Sequence, residues 1–192
     1  MSDIHPPMEV NMTRRKMLLI TAGATVLGVA ALVGFAGHNA IFADDDDDDE
    51  GQEALTKRLN TAKINLQQGL AASEQEGQPI SAKFELDDGE LQLSVYTSKD
   101  GKFSELLVDY MNGKVTKAEP ITEGDDLAAA KLQSAAMAKA KTTLKEAVDK
   151  AVTQSANARV VSAVPSLKDG RPIASIALLD GEQIKTVQQP LD

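Results

Sequence analysis

The chain is 192 residues long with a formal net charge of −9, no cysteine, and two histidines, His5 and His38. That composition excludes a disulfide scaffold. Beyond residue 43 it leaves no Cys or His for zinc, copper, haem or iron–sulfur ligation, and no histidine base for a nucleophile triad. An acidic surface also disfavours nucleic acid and anionic lipid headgroups as partners.

Arg14, Arg15 and Lys16 precede an uncharged run over residues 17–36, and Ala40 and Ala43 offer small-residue cleavage positions, which is the layout of an export signal. Thr13-Arg14-Arg15-Lys16-Met17-Leu18-Leu19 resembles a twin-arginine signal. The alternative is a retained anchor, since about twenty apolar residues suffice to span a bilayer as a helix. The basic flank leaves the C-terminal part of the chain outside the cytoplasm either way. Residues 1–43 are therefore expected to be a signal peptide or N-terminal anchor. The remainder is expected to be periplasmic, touching a membrane only through an uncleaved leader, and its net charge is −10 because the leader carries +1.

Residues 44–50 form an unbroken acidic run, expected to repel itself and act as an extended linker. Leu55, Leu59 and Ala62 then fall at helical spacing, and Asn65-Leu66-Gln67-Gln68 reads as a capping box, with Gly77 and Pro79 ending the helical pattern. The period next changes to two. Ile80, Ala82, Phe84 and Leu86 alternate with Ser81, Lys83, Glu85 and Asp87, as in a strand with one face on a core and one in water. Asp88-Gly89 signals a tight hairpin, Leu91, Leu93 and Val95 resume the alternation, and Asp100-Gly101 and Asn112-Gly113 mark further turns. Phe84 is expected in the core, while Tyr96, on the other side from Val95, is expected toward solvent.

The order then repeats. Glu123-Gly124-Asp125-Asp126 leads into an alanine-rich helix on which Ala128, Leu132, Ala135 and Ala136 share a face, with Met137 read as packing. Thr143-Leu144-Lys145-Glu146 is a second capping box, and strands are expected over residues 160–164, 173–179 and 183–187. Leu66 matches Leu144 at an offset of 78 and Asp88-Gly89 matches Asp169-Gly170 at 81, so three residues are inserted between helix and hairpin in the second copy. Each copy has a helix with one apolar stripe and a sheet with one apolar face, which must cover each other. The expected fold class is α+β: two modules over 51–121 and 122–192, each a helix packed on its own small antiparallel sheet.

The capped helix followed by a short antiparallel sheet with Asp-Gly hairpins resembles the PepSY domain, here in tandem over roughly residues 51–192. The copy from Ala62 to about Ile121 is the clearer, and Pro165 interrupts the first strand of the other. The resemblance implies a non-catalytic module that inhibits or chaperones a secreted peptidase, or a free-standing exported binding protein. Some tandem members of similar layout bind lanthanide or calcium ions, and no family binding residue transfers to a position here.

Carboxylates are the chemistry on offer. Asp44, Asp45, Asp46, Asp47, Asp48, Asp49 and Glu50 supply the oxygen ligands that calcium and lanthanides prefer. An EF-hand alignment on Gly51 fails, because Lys57 falls where the bidentate Glu belongs. Asp87, Asp88 and Glu90 at the first hairpin form a second candidate set, with turn chemistry as the competing explanation. The functional expectation is a non-enzymatic periplasmic protein that binds hard polyvalent cations. The alternative is a protein-interaction module acting on a secreted peptidase or envelope protein through exposed strand edges.

Overall fold

The computed structural model describes residues 45–155 and 158–192, with the backbone alone described for 45–50. Among these residues four helices and seven strands follow one another as α1 (Asp45–Leu59), α2 (Leu66–Ser73), β1 (Gln78–Asp87), β2 (Glu90–Lys99), β3 (Lys102–Val108), β4 (Val115–Ile121), α3 (Gly124–Met137), α4 (Leu144–Gln154), β5 (Arg159–Lys168), β6 (Arg171–Asp180) and β7 (Gln183–Pro190). The leader, with its apolar run over residues 17–36, lies outside the described residues. Among those described, no helix is long and apolar enough to cross a membrane.

The caps and turns form where the local pattern places them. Asn65 and Thr143 each accept from the backbone N–H three residues on, while the side chains of Gln68 and Glu146 accept from the cap N–H in return. The bonds from Thr143 hold the Glu146 carboxyl below its ordinary pKa. Asp88, Asp100 and Asp169 take positive φ beside Gly89, Gly101 and Gly170, the twist that two-residue hairpins require. The three inserted residues have a definite place. With Leu66 matched to Leu144, α2 runs 8 residues and α4 runs 11, so the insertion adds most of a turn to the C-terminus of α4.

The duplication extends to the backbone hydrogen bonds. Lys63 and Ile64 both donate to the Tyr110 carbonyl, and their equivalents Lys141 and Thr142 both donate to that of Leu191. Each copy also has an irregularity at the same point of its first strand, between Pro79 and Ser81 in β1 and between Val160 and Ser162 in β5.

The expectation of two modules, each on its own small sheet, is overturned. All seven strands form one antiparallel sheet in the order β4-β3-β2-β1-β5-β6-β7. The first strands of the two copies pair with each other, Ala82 opposite Ala163 and Lys83 opposite Ser162. Ala82 and Ala163 are equivalents at the hairpin offset of 81, so antiparallel pairing of one with the other places a local two-fold axis at that point. Left apart, each module would expose the edge of its first strand, and edge strands with unpaired amides seek partners. Pairing the two edges satisfies both.

A single hydrophobic core spans both copies, from Leu59, Leu66, Leu70, Phe84 and Leu93 to Leu144, Val148, Ile176 and Leu191. Pro165 does not break β5. It keeps its place opposite Ala174 and lies beyond the two-residue β1–β5 ladder, where an N–H is dispensable. The acidic run is not an extended linker either, because residues 45–50 form the first turns of α1.

The sheet is covered on both faces near the seam. α2 lies on the face carrying Ala82, Phe84 and Leu93, and α4 lies on the same face, with Gln154 accepting from Gln189 Nε2 at 2.8 Å. α3 lies on the other, with Gln133 accepting from the Ser81 hydroxyl at 2.8 Å. The buried side of α3 is Ala129, Ala130, Gln133, Ala136 and Met137. The stripe of Ala128, Leu132 and Ala135 faces outward instead, with Leu132 72% exposed.

The two copies show compensating choices where helix meets sheet. A Cβ placed on Gly69 of α2 would stand 2.6 Å from Leu93 Cδ2, and Leu93 is itself fully buried. The equivalents are Ala147 and Ala174, so the second copy places the larger residue on the helix and the smaller on the strand. Gly69→Ala is therefore expected to destabilise the protein by about 1–3 kcal/mol through overpacking. In a Leu93→Ala background, which alone costs about 2–5 kcal/mol, the same change is expected to be neutral or stabilising. Urea denaturation of the four proteins in this double-mutant cycle measures the coupling.

Candidate functional site

The structure does not gather the expected hairpin carboxylates into a metal site. Asp88 occupies the turn, Asp87 and Glu90 sit opposite each other at the end of the β1–β2 ladder, and Glu90 accepts from Arg58 Nη2 at 3.3 Å. Among the described residues no group of three or more His, Cys, Asp or Glu side chains converges to hold a metal ion. Asp44, and the side chains of Asp45, Asp46, Asp47, Asp48, Asp49 and Glu50, lie outside the described residues. Of the other acidic residues near turns, Asp109 accepts from the Met111 amide at 2.8 Å and Asp180 from Lys185 Nζ at 3.0 Å. Lys57, which spoiled the EF-hand alignment, pairs with Glu53 one turn back.

What the alternation pattern misses is a charged cluster beneath α3. Ser81, Lys83, Ser94 and Tyr96 belong to the side of β1 and β2 expected in water, yet all four are buried. The Lys83 ammonium pairs with Glu85 Oε2 and stands 5.9 Å from the centre of the Tyr96 ring, within cation–π range. Ser94 donates to Glu85 Oε1 at 2.9 Å, Gln92 donates to Ser94 at 2.8 Å, and Tyr96 donates to Glu105 on β3 at 3.2 Å. The expectation of a solvent-facing Tyr96 is thus corrected. Burial first, and then the negative charges of Glu105 and Glu85, push its phenol pKa well above the ordinary value.

The second copy is an internal control for this cluster. At the offset of 81, Lys83, Glu85, Gln92, Tyr96 and Glu105 are matched by Val164, Ser166, Ile173, Ala177 and Thr186. The same sheet therefore forms without any of these charges or the aromatic ring. The cluster is a feature of the first copy, holding β1, β2 and β3 in register on the side that α3 covers. The Lys83–Glu85 pair and the Tyr96–Glu105 hydrogen bond cross-link this layer of the sheet.

Arg159 crosses between the copies. Its guanidinium donates from Nη2 to the carbonyls of Ala62 at 2.8 Å and Ile64 at 3.0 Å, and burial lowers its pKa. The loop that opens α2 is thereby fastened to the first residue of β5, so the seam is locked at its upper end as well as along the ladder.

The outer strands of the sheet are β4 and β7 among the described residues. On the first side β3 is covered by β4, with Phe103 opposite Ile121, Leu106 opposite Ala118 and Leu107 opposite Lys117. On the second side β7, which corresponds to β3, pairs with β6 and ends the sheet among the described residues. Ile184 and Val187 are half-buried, and Lys185, Thr186 and Gln188 are exposed. The edge is rigidly held. The Gln189 amide donates to Gln154 of α4, Leu191 N donates to Pro172 O at 3.0 Å, and the Leu191 carbonyl accepts from Lys141 and Thr142. β4 at the opposite end of the sheet likewise pairs on one side only, so each outer strand leaves a row of backbone groups unpaired among the described residues.

No family model, curated protein or solved structure matches the chain.

Two outcomes test the cluster. Lys83→Val is expected to cost about 1–3 kcal/mol by leaving Glu85 without its cation in a part-buried site. Adding Glu85→Ser, so that both positions match Val164 and Ser166, is expected to restore most of that loss in urea denaturation. The Tyr96 pKa lies above the unfolded value of 10.0, so its contribution to stability is fully present below that pH and is lost as pH rises beyond it. Stability measured between pH 9 and 11 is expected to fall, and Tyr96→Phe to flatten the fall.

Proposed function

We propose that this chain is a non-enzymatic, exported binding protein that works as a protein-interaction module, taking up an extended segment of a partner protein along β7. One observation carries the reading. The sheet ends at β4 and β7 among the described residues, and β7 is a pre-ordered outer strand, held by the bonds of Gln189 and Leu191 and with Lys185, Thr186 and Gln188 exposed. The absence of Cys and His beyond His38 supports a binding role, since neither a thiol–imidazole pair nor a serine triad can be assembled. Export is supported by the basic and apolar leader. Calcium or lanthanide uptake is the other reading and draws on the acidic run of residues 44–50, whose side chains lie outside the described residues.

The test places a photoreactive side chain at exposed Thr186 of β7, and separately at exposed Lys131 of α3, in the full chain expressed in exporting cells. A discrete adduct with a second protein is expected from position 186 and not from 131. Equal labelling at both positions, no adduct, or an adduct of twice the chain's own mass would overturn the reading.

A further inference from the structure

We infer that α3 is a lid: it lifts from the second face of the sheet as one helix while the sheet, α2 and α4 stay folded, and lifting uncovers Tyr96.

α3 is the least anchored of the helices α2, α3 and α4. Ordering a helix costs conformational entropy in proportion to its length, and α3 is the longest of the three at 14 residues. Its buried side is three alanines, Gln133 and Met137, with Leu127 half-buried, and each alanine takes only a methyl group out of water. α2 buries Leu66 and Leu70 within 8 residues, and α4 buries Leu144 and Val148 within 11. Both of those helices begin in a capping box, whereas Glu123 at the head of α3 makes no side-chain cap bond.

The surface beneath α3 tolerates uncovering. Its hydrogen bonds to the helix are polar contacts that water can replace at little net cost: the Ser81 hydroxyl donates to Gln133 at 2.8 Å and the Ser134 hydroxyl to Ser98 at 3.5 Å. Asp126 of α3 adds its negative charge to those of Glu105 and Glu85 around the buried Tyr96 phenol. Lifting takes that charge away and lets water reach the ring, so the phenol moves back toward its ordinary ionisation.

The flanks define where the movement is taken up. Gly124 has a φ of +74° with no atom within 4 Å of where a Cβ would stand, and Lys141 and Thr142 are pinned to the Leu191 carbonyl. The hinges are thus Glu123-Gly124 on one side and Ala138-Lys139-Ala140 on the other.

Amide hydrogen exchange of the full natural chain, followed in rising urea below the unfolding transition, is the first test. Amides of residues 129–137 are expected to exchange about a hundredfold faster than those of α4 and β1, with a shallow urea dependence because little surface is exposed. The chain has no cysteine, so Ser98→Cys with Ser134→Cys introduces one disulfide across that contact. Oxidation of the pair is expected to slow the α3 amides to the level of α4, and reduction to restore the fast exchange.

Tyr96 supplies a second readout. With Tyr110→Phe it is the one tyrosine left, and tetranitromethane in mildly alkaline buffer nitrates the phenolate. Nitration is expected to be about tenfold slower in the oxidised than in the reduced pair, and Glu123→Ser, which supplies the missing cap, to slow it about fivefold in the chain without cysteines. Exchange of α3 at the rate and urea dependence of α4 and β1 would overturn the inference, whether or not the cysteine pair closes. Equal nitration of the oxidised and reduced forms would overturn it as well.

Discussion

The structure depends on a short contact between two backbones. At Ala82 and Ala163 the first strands of two similar units meet side by side, and the rest of the seven-stranded sheet is built outward from that pair. Small side chains suit the place. Both alanines are buried under α2 and α4, and larger residues there would hold the helices off the seam. The pairing turns two marginal units, each with an unprotected edge, into one sheet with a shared core. Arg159 adds a second fastening by bridging to the carbonyls that precede α2.

Because the pairing brings β1 against its own equivalent β5, the molecule has the layout of a dimer written into one chain. That symmetry is useful for sorting scaffold from specialisation. Features present twice belong to the scaffold: the two capping boxes, the paired bonds to Tyr110 and Leu191, the irregularities beside Ser81 and Ser162. Features present once invite another explanation. The Lys83–Glu85–Tyr96–Glu105 cluster is confined to the first copy. The cluster has a structural account, since α3 buries that part of the sheet and the charges there must be paired. β7 is the last strand of the sheet among the described residues, as β4 is at the other end.

The covering of the second face also explains why the sheet departs from a simple inside–outside alternation. Ser81, Lys83 and Ser94 read as solvent-facing because they alternate with Ala82, Phe84 and Leu93, and polar residues in that position ordinarily meet water. Here they meet Gln133, Glu85 and Gln92 instead. α3 can lie close because its inner side is mostly alanine, and its longer apolar residue Leu132 points away. Polar groups thus knit the layer under α3, while apolar packing holds the layer under α2 and α4.

Much of the architecture was legible in the amino-acid order alone. Caps at Asn65 and Thr143, turns at Asp88-Gly89 and Asp169-Gly170, the period-two runs and the internal repeat are local or self-referential signals, set by backbone geometry and by the spacing of apolar residues. They determined the elements and their order, and even the three extra residues that lengthen α4. They did not reveal which strand edges would meet, because edge amides are chemically the same in every strand and leave no mark in the side-chain pattern. Nor did they reveal the burial of Lys83 and Tyr96, which depends on α3, a helix more than twenty residues further along the chain. Those choices belong to the tertiary structure, since they arise from the joining of two halves at Ala82 and Ala163 and from the covering of the second face by α3.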